Sequence, residues 1–281
     1  KILDCTLRDG GYYTNWDFSN EFVRNYLIAL SAAKINYVEI GFRLFQNKGF
    51  KGAYAFCKDD FINHLEIPNG INIAVMINAN DLILDDKFDK RRVETLVPLN
   101  SEKSQVKLFR IACRLDDFET IAPAFSILKK KGYKTAVNIM QMSTLKESQL
   151  DRISELASEY DVNIIYLADS FGSLLPNKVK EIVGYLKKKW AGQIGFHAHD
   201  NKGLALINSY SAIESGVSWI DSTINGMGRG AGNTRTEELL LSLENSRKDK
   251  SYLIPLLKII NNQFTQLKKK YKWGTNPYYF I

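Results

Sequence analysis

Three observations predict that this chain folds as a single (β/α)8 barrel. Eight short segments rich in apolar and β-branched residues recur along the 281 residues, and their starts lie about 25 to 37 residues apart. That interval is the length of one strand, a loop, one helix and a second loop. Stretches with helical periodicity fill the intervals, and no linker-like composition interrupts the series. Eight consecutive β/α units are typical of a closed parallel barrel.

Strand and helix patterns alternate along the whole chain. The predicted strands are KILDCTL from Lys1, YVEIGF from Tyr37, INIAVMIN from Ile71, VKLFRIAC from Val106, KTAVNIMQM from Lys134, VNIIYLAD from Val162, GQIGFHAH from Gly192 and SWIDSTIN from Ser218. The predicted helices include SNEFVRNYLIALSAAK, FETIAPAFSILKKKG, LKESQLDRISELASEY, NKVKEIVGYLKKK and KGLALINSYSAIESG. Ser19 and Pro176 are typical first residues of helices, and Gly132, Gly192 and Gly216 stand where a helix-ending glycine is expected.

Two stretches depart from this alternation. Residues 83–105 carry many charges and no clear strand, whereas residues 251–270 have the periodicity of a further amphipathic helix. The final WGTNPYYFI is too apolar for a solvated tail, so we expect it to pack, or the native chain to continue. We divide the chain into a barrel over 1–250 and a C-terminal helix and tail over 251–281. The alternative, a doubly wound open sheet, normally has GxGxxG after its first strand, where this chain has LRDGGYY.

The composition is that of a soluble enzyme-sized domain. Apolar residues make up 45% and charged residues 25%, and no apolar run reaches 18 residues, so we expect no membrane-spanning helix. The three cysteines, Cys5, Cys57 and Cys113, are far apart and form no CxxC pair. This pattern argues against a disulfide framework and predicts a reducing, cytoplasmic location.

The formal charge of +7 comes largely from three KKK runs, which begin at Lys129, Lys187 and Lys268. Each run follows an apolar-periodic stretch, where cations complement the dipole of a helix C-terminus. We therefore expect solvated helix ends and no nucleic-acid partner, with a mild preference for anionic substrates.

Two of the three histidines stand together in GFHAHD, near the end of the predicted seventh strand. His197 and His199 are two residues apart, so their side chains project to the same face of the strand. Asp9 ends the predicted first strand, and catalytic groups of such barrels collect at the C-terminal strand ends. Two imidazoles and one carboxylate predict a divalent-metal site with open positions. Asp200 points the other way and is expected to cap a helix or support the site, and His64 is expected to be incidental.

Three motifs resemble a known superfamily. TLRDGG, GFHAHDNKGLALINSYSAIESG and STINGMGRGAGNTRTEELL fall on predicted strands one, seven and eight. In this order and spacing they resemble the pyruvate-carboxyltransferase-like (HMGL-like) metal-dependent barrels. That superfamily includes 4-hydroxy-2-oxovalerate aldolases, 2-isopropylmalate and homocitrate synthases, and hydroxymethylglutaryl-CoA lyases. The resemblance implies a divalent cation, Mn²⁺ or Mg²⁺ first, with Co²⁺ or Zn²⁺ as alternatives.

The resemblance also implies roles for individual residues. Asp9, His197, His199 and Asn233 correspond to the metal-binding set, and Arg8 to the arginine that stabilises an enolate oxygen. The remaining matches are Glu39 as the acidic residue of strand two, Arg110 as a basic residue of strand four, and Asp169 and Ser170 as contacts of the substrate carboxylate. Alternation along strand five turns Asn138 toward the barrel interior, where we count it as substrate-binding. Two alternatives remain open: a structural Arg8–Asp9 ion pair, and Glu39 as a member of a buried network.

The chain departs from each branch of the family at one position. Tyr12 stands where the aldolases carry a catalytic histidine, and its unperturbed pKa of about 10 makes it a poor base. Gly11 replaces the glutamate of the synthases, and NGMGRGAGN lacks the catalytic cysteine of the lyases. The segment GGYYTNWDF is either a specificity lid, in which Tyr12, Tyr13 and Trp16 face a ligand, or a packed loop.

The predicted activity is aldol chemistry, with Tyr12 and Glu39 counted beside Arg8 as catalytic. A divalent metal would join a pyruvate-type enolate to an aldehyde, or break that bond. The first alternative is a Claisen condensation of an acyl-CoA with a 2-oxo acid, and the second is an inactive binding barrel. A two-histidine, one-carboxylate iron oxygenase fits Arg8 and the barrel poorly. We expect small-molecule partners and a homodimer.

Overall fold

Eight parallel strands close into a barrel, as predicted from the sequence. A computed structural model describes residues 1–46, 49–243 and 249–280, without the side chains of residues 279 and 280. The strands are β1 Ile2–Asp4, β2 Tyr37–Phe42, β3 Asn72–Asn78, β4 Val106–Cys113, β5 Lys134–Ile139, β6 Ile164–Asp169, β7 Gln193–Ala198 and β8 Trp219–Ser222. Each strand pairs with the next in sequence, and β1 closes the barrel by pairing with β8. In that closing pair Ile2 lies opposite Ile220.

Helices surround the barrel and follow its strands. The helices are α1 Thr6–Thr14, α2 Asn20–Ala32, α3 Asp59–Asn63, α4 Lys90–Leu96, α5 Leu115–Ile121, α6 Pro123–Lys130, α7 Glu147–Glu159, α8 Pro176–Lys189, α9 Ala205–Glu214, α10 Thr236–Leu243, α11 Ile254–Ile259 and α12 Thr265–Tyr271. Ser19 caps α2 by accepting a hydrogen bond from the Phe22 backbone N–H, and Pro176 begins α8. The three KKK runs lie in the last turns of α6, α8 and α12, although Lys131 falls one residue beyond α6.

The first strand is shorter than predicted, and Asp9 does not lie on it. The Asp4 carboxylate accepts hydrogen bonds from both the backbone N–H and the hydroxyl of Thr6. These contacts satisfy the first donors of a helix, so the chain turns into α1 after Cys5. Asp9 therefore lies in the first turns of α1, directly above the barrel mouth.

Three further predictions need correction or completion. The helix expected over FETIAPAFSILKKKG is divided at Ala122, because Pro123 begins a new helix. Gly132 and Gly216 have positive φ values of 85° and 93°, as helix-ending glycines do, but Gly192 is not among the positive-φ glycines. A side chain on Gly192 would instead collide with the Trp190 ring. Residues 83–105 form a two-residue-per-strand hairpin, Ile83–Leu84 with Lys87–Phe88, and then α4.

The barrel interior has an apolar layer at its N-terminal end. This layer consists of Leu3, Cys5, Ala74, Leu108, Ala136, Ile164, Tyr166 and Trp219, all fully buried. The Tyr37 and Trp219 rings meet edge to face with centroids 4.5 Å apart. The amino end of the barrel is thus closed by packed side chains, as is usual in this architecture.

The C-terminal part packs on the barrel through its helix and Trp273, whereas residues 275–278 are exposed. Residues 251–271 form a nearly continuous helix with a π-helical turn at Ile260–Phe264, and α11 packs on α2. The buried Trp273 donates its indole N–H to the Asn225 carbonyl. Ile281 lies outside the described residues. No helix in the described ranges is long and apolar enough to cross a membrane.

Candidate active site

A pocket of about 100 Å³ opens at the carboxyl ends of the barrel strands. Seven of the predicted site residues line it: Arg8, Asp9, Tyr12, Asn138, Ser170, His197 and His199. Asn78 and Arg229 also line the pocket, although the sequence had not drawn attention to either. The other four predicted residues have buried side chains behind the pocket wall.

Asp9, His197 and His199 converge on one side of the pocket. The Asp9 Oδ2 atom lies 3.5 Å from His197 Nε2, and the two imidazole rings are 5.1 Å apart at 76°. Strand β7 ends at Ala198, and His199 continues its direction through a bridge to Asn233. The two-residue spacing of the histidines therefore has the predicted effect, since both rings face the pocket.

The ionisation states of these groups suit metal binding. Burial, followed by the neighbouring His197, lowers the pKa of His199 to about 3, so its imidazole is neutral at pH 7. Burial opposes ionisation of Asp9, but the Arg8 guanidinium and the two histidines lower the pKa of this carboxyl. A carboxylate beside the neutral imidazole of His199 is the ligand chemistry that divalent transition metals prefer.

Asp221 orients His197 from behind the pocket. Its Oδ2 atom lies 2.9 Å from His197 Nδ1, which leaves Nε2 directed toward Asp9. Carboxylates commonly hold metal-binding histidines in this way. Asp221 is not among the site residues predicted from the sequence. Because side chains alternate along a strand, Asp221 nevertheless faces the same side of β8 as Trp219.

Asn233 lies beside the same histidine. Its amide nitrogen is 3.2 Å from both His197 Nε2 and the Ala198 carbonyl oxygen. Within the described part of the chain, its buried Oδ1 atom has no hydrogen-bond partner. This atom faces Gly228, where a side chain would collide with it. A buried amide oxygen with unused lone pairs next to two histidines is compatible with a place near a metal ion.

A second grouping of metal-binding atoms lies deeper. Cys5, His197 and Asp221 offer ligand atoms within 4.8 Å of one another. Burial raises the pKa of the Cys5 thiol well above its ordinary value, and Asp221 already forms an ion pair with Arg110 at 2.6 Å. The thiolate is therefore disfavoured, and neither Cys5 nor Asp221 lines the pocket, so the pocket-facing set of Asp9, His197 and His199 is the better fit to a divalent cation.

Arg8 is held from two sides and keeps one donor free. Its Nε atom donates to Glu39 at 2.8 Å, and its Nη1 atom forms an ion pair with Asp9. Its Nη2 atom is buried and has no hydrogen-bond partner among the residues that the structure describes. Both open alternatives from the sequence hold in part: Arg8 pairs with Asp9, and Glu39 is a buried network residue.

Arg110 lies below the pocket floor and connects that network. Its guanidinium contacts Glu39 at 3.2 Å, Asp221 at 2.6 Å and the Asn138 side-chain oxygen at 2.8 Å. It also lies 4.0 Å from the centroid of the Tyr166 ring. Of this group only Asn138 lines the pocket. The contacts of Arg110 and Glu39 are therefore those of positioning residues.

The two residues of the ADSFGS segment separate. The Asp169 carboxylate accepts backbone hydrogen bonds from Ser173 at 3.2 Å and Leu174 at 3.1 Å, so it holds the following turn. Ser170 lines the pocket, and its hydroxyl accepts a hydrogen bond from the Gln141 backbone N–H at 3.0 Å. The geometry fits a substrate contact for Ser170 and a loop-fixing role for Asp169, because the end of β6 directs only alternate side chains inward.

The expected roles of two other polar residues fit their positions. Asp200 accepts a hydrogen bond from the first backbone N–H of α9, at Ala205, and another from Thr275. His64 is exposed at the end of α3, and its ring nitrogen lies 2.6 Å from the Asp60 carbonyl.

The GGYYTNWDF segment divides into a pocket-facing and a packed part. Tyr12 is 47% exposed and lines the pocket. Trp16 is buried and donates its indole N–H to the Arg8 carbonyl, in the space that a side chain on Gly11 would occupy. Tyr13 stacks on Tyr271 instead. Of the three aromatic residues, Tyr12 alone contributes to the pocket.

Tyr12 also differs chemically from a base. Desolvation raises its pKa above the ordinary value, although Arg8 acts in the opposite direction. The phenol is therefore protonated at neutral pH and is available as a proton donor. Its ring lies 4.8 Å from Trp16 and 6.3 Å from Phe42, with edge-to-face geometry in both contacts.

A larger cavity of about 530 Å³ lies elsewhere, among residues of the β2–α3 segment and of α4. Its buried Arg43 donates to the Cys57 and Leu96 carbonyls and pairs with Asp59 at 2.9 Å. These contacts give Arg43 and Asp59 a structural role. The smaller pocket is the better candidate, because it brings together the histidines and the carboxylate.

Known proteins resemble this chain over most of its length, including the residues of the pocket. The HMGL-like family model matches residues 1–262. A 4-hydroxy-2-oxovalerate aldolase from Pelotomaculum thermopropionicum is 30% identical over 87% of this chain and 70% of its own length. An oxaloacetate decarboxylase from Mycobacterium tuberculosis is 27% identical over 86% of this chain and 69% of its own length. The crystal structure of the N-terminal domain of a proposed aldolase from Bacteroides vulgatus has a TM-score of 0.85 and 33% identity, covering 99% of this chain and 90% of that one.

Proposed function

The chain belongs to the HMGL-like family, and from this premise we propose that it is a divalent-metal-dependent aldolase. It makes or breaks a carbon–carbon bond between a pyruvate-type enolate and an aldehyde. The observation that carries the proposal is the convergence of Asp9, His197 and His199 on a small pocket beside Arg8. The name of the 30%-identical relative supports the same reaction class.

Asp9, His197 and His199 would hold the metal, with Asn233 beside them. This donor set accepts several divalent cations, and we propose Mn²⁺ or Mg²⁺ in preference to Co²⁺ or Zn²⁺. A cation bound there would act as a Lewis acid on the keto and carboxylate oxygens of a 2-oxo acid. Asp221 fixes the ring of His197 for this purpose through the 2.9 Å contact.

Arg8 stabilises negative charge on the enolate oxygen. Glu39 and Asp9 occupy its Nε and Nη1 donors, which leaves the buried Nη2 free. A fixed cationic donor that needs no reorganisation lowers the energy of an oxyanion more than of a neutral carbonyl. Arg110 acts indirectly, by holding Glu39 and the Asn138 side chain in place.

Tyr12 carries a proton for the second substrate. In the condensation direction the enolate carbon attacks the aldehyde carbon, and the C=O π electrons move to oxygen. The Tyr12 hydroxyl, neutral because of its raised pKa, donates its proton to that oxygen. The phenolate left by condensation is reprotonated from solvent. In cleavage Tyr12 first releases its proton to solvent, and the phenolate then accepts the C4 hydroxyl proton while the electron pair of the breaking C3–C4 bond stays on C3 as the enolate.

The acyl-CoA condensation has less support in the geometry. The synthases carry a glutamate at the position of Gly11, and here the Trp16 indole fills the space beside that residue. In either reaction, Ser170 and Asn138 are the neutral polar groups that we propose to bind the substrate carboxylate. Asp169 holds the loop that follows Ser170.

Decarboxylation of a 2-oxo diacid is a second candidate function. Among the described residues that line the pocket, the carboxylate of Asp9 and the imidazoles of His197 and His199 all belong to the proposed metal set. No further carboxylate or imidazole of that lining is left to act as a base. Loss of CO2 produces the same enolate without any base, because the electron pair of the breaking bond stays on C3. The 27%-identical oxaloacetate decarboxylase makes this reaction the direct competitor.

Three measurements on one preparation test the proposal. We expect saturable Mn²⁺ binding, metal-dependent exchange of pyruvate methyl protons in deuterated water, and pyruvate release from 4-hydroxy-2-oxopentanoate, followed with lactate dehydrogenase. Release from oxaloacetate alone would replace the aldolase by the decarboxylase, and thiol release from acetyl-CoA with a 2-oxo acid would favour the synthase. A protein that binds no metal would be the inactive barrel.

Other properties stay predictions. Small-molecule substrates agree with the names of the relatives and with the size of the pocket. We also propose a homodimer, a cytoplasmic location and a barrel that ends at residue 250; sedimentation and cell fractionation test the first two.

A further inference from the structure

Arg229 is a cationic residue of the pocket that has no role in the proposed reaction. Its side chain lines the pocket together with Asp9, His199 and Ser170. Among the described residues it forms no ion pair, whereas Arg8 and Arg110 are each bound to carboxylates. Its charge nevertheless acts on the pKa values of both Tyr12 and His199.

The guanidinium of Arg229 has a defined support. It lies 6.0 Å from the centroid of the Tyr12 ring, at the outer limit of a cation–π contact. The Tyr12 ring in turn packs against Trp16 and Phe42. Tyr12, where aldolases carry histidine, thus presents a supported aromatic face below a cation.

The backbone next to Arg229 is fixed from two directions. The Gly230 carbonyl accepts hydrogen bonds from the Tyr13 hydroxyl at 3.4 Å and from the Gly274 backbone N–H at 3.2 Å. Trp273 holds the start of the same loop at the Asn225 carbonyl, at 3.0 Å. A cation on a fixed loop loses less conformational freedom when it binds an anion.

The charges of the site leave room for one more anion. The guanidiniums of Arg8 and Arg110 contact three carboxylates, those of Asp9, Glu39 and Asp221, which gives one excess negative charge. A divalent cation would reverse this to one positive charge, and the carboxylate of a 2-oxo acid would balance it. Arg229, whose side chain is exposed to solvent at the pocket, then remains a cation without a carboxylate partner among the described residues.

We propose that Arg229, supported by Tyr12, binds an anionic group on the second substrate. The preferred acceptor is then an aldehyde that carries a carboxylate or a phosphate, instead of a simple alkyl aldehyde. Both anions suit the planar fork of a guanidinium. This inference rests on the proposed aldolase function, because it names the class of aldehyde that the same pocket takes.

Paired substrates test the preference directly. With pyruvate and Mn²⁺, kcat/KM is compared for succinic semialdehyde against butanal, and for glyceraldehyde 3-phosphate against glyceraldehyde. We expect the charged member of at least one pair to be favoured, and the pair that is favoured distinguishes a carboxylate from a phosphate. Arg229→Gln should reduce that ratio by about 10- to 100-fold, the range of a lost charge-assisted hydrogen bond.

Three further variants separate charge from structure. Arg229→Lys should keep part of the preference, since the charge remains but the fork is lost. Tyr12→Phe should keep the ratio while turnover falls, because the ring remains and the hydroxyl is removed. Arg24→Gln removes an exposed arginine of α2, paired with Glu66 at 3.8 Å, and should leave the ratio within about twofold.

A binding measurement keeps the inference independent of turnover. The Mn²⁺-loaded protein is titrated with 2-oxoglutarate and with 2-oxopentanoate, which differ in the charge of the distal end. Tighter binding of 2-oxoglutarate that disappears in Arg229→Gln supports the subsite even if no aldol activity is found. Equal affinities, or a preference that survives in Arg229→Gln, would overturn it, whereas failure to form or cleave the aldol bond would overturn only the proposed function.

Discussion

The two ends of the barrel interior are built from the same strands but have opposite chemistry. On β4, Leu108 lies in the apolar layer and Arg110 lies two residues further on, in the polar network. On β8, Trp219 and Asp221 repeat this arrangement. All four side chains are essentially buried, so depth does not distinguish the two layers.

The difference between the layers is how burial is stabilised. The lower layer gains free energy from apolar area removed from water, at about 25 cal/mol per Å². The upper layer is the polar network of Arg110, Glu39 and Asp221. Desolvation of these charges is unfavourable unless each is paired, and Arg110 is paired with both carboxylates. We infer that the lower layer supports the fold, and that the upper layer holds catalytic groups in position. The following predictions test that division.

The largest effect is expected at the pocket itself. Asp9→Asn and His197→Ala should each reduce kcat/KM by about 10⁴-fold or more, because each removes a metal-binding group. Metal titration by calorimetry should show weaker binding, and urea unfolding without metal should show a separate loss of stability for Asp9→Asn, which leaves the buried Arg8 without one of its two carboxylate partners. A variant that retains the metal and most of the activity would contradict the assigned site.

Trp219→Ala tests the lower layer. Removing this fully buried ring should lower the free energy of unfolding by about 3–5 kcal/mol, while the Mn²⁺ affinity of the folded fraction stays close to that of the wild type. Leu108→Ala, in the same layer, should act in the same direction with a cost of about 2–5 kcal/mol. Urea unfolding and metal titration on the same samples measure both quantities, and a large loss of metal affinity would show that the layers are not separable.

Asp221→Asn tests the connection between the upper layer and the metal site. Loss of the carboxylate behind His197 should weaken metal binding by about 10- to 100-fold, and it also removes the partner of Arg110 at 2.6 Å. Calorimetry gives the affinity, and circular dichroism checks that the barrel is retained. Unchanged metal affinity would mean that the 2.9 Å contact does not orient the imidazole.

The smallest effect is a pH dependence of stability that comes from Glu237, in the first turn of α10. Burial raises the pKa of Glu237 to about 7, while its carboxylate accepts a hydrogen bond from the Asn225 backbone N–H at 3.0 Å. The folded state then holds a proton that the unfolded state releases, so this group's contribution to stability should fall as pH rises from about 4.5 to 7. Glu237→Gln should reduce the change in unfolding free energy over that pH window by on the order of 1 kcal/mol, as measured by urea unfolding at a series of pH values. A steeper profile in the variant would mean that the assigned sign is wrong.

The strands and the histidine pair could be predicted because they depend on local periodicity. All eight strands overlap their predicted segments, and the spacing of His197 and His199 turns both rings to the pocket. Asp9 was predicted at a strand end, because the sequence does not reveal that the Asp4 side chain begins a helix there. The convergence on Asp9 survives, since α1 lies above the same barrel mouth.

Other features depend on partners distant in sequence. Asp221 is identified only by its contacts with His197 and Arg110, and the spare donor of Arg8 only by what occupies its other two nitrogens. Asp169 was assigned to the substrate, although its oxygens are used by two backbone N–H groups. Strand periodicity cannot reveal which side chains satisfy each other's hydrogen bonds.

The closure of β1 against β8 sets the order in which this protein can mature. The Ile224 backbone N–H donates to the Thr6 hydroxyl across a separation of 218 residues, and Asp9 meets His197 across a similar distance in the chain. Contacts of such high sequence separation form late, because they require closure of a very long loop. A nascent chain that lacks β8 therefore has Arg8 and Asp9 but no cavity in which to use them. For the proposed metal set of Asp9, His197 and His199, this order would place metal binding after barrel closure.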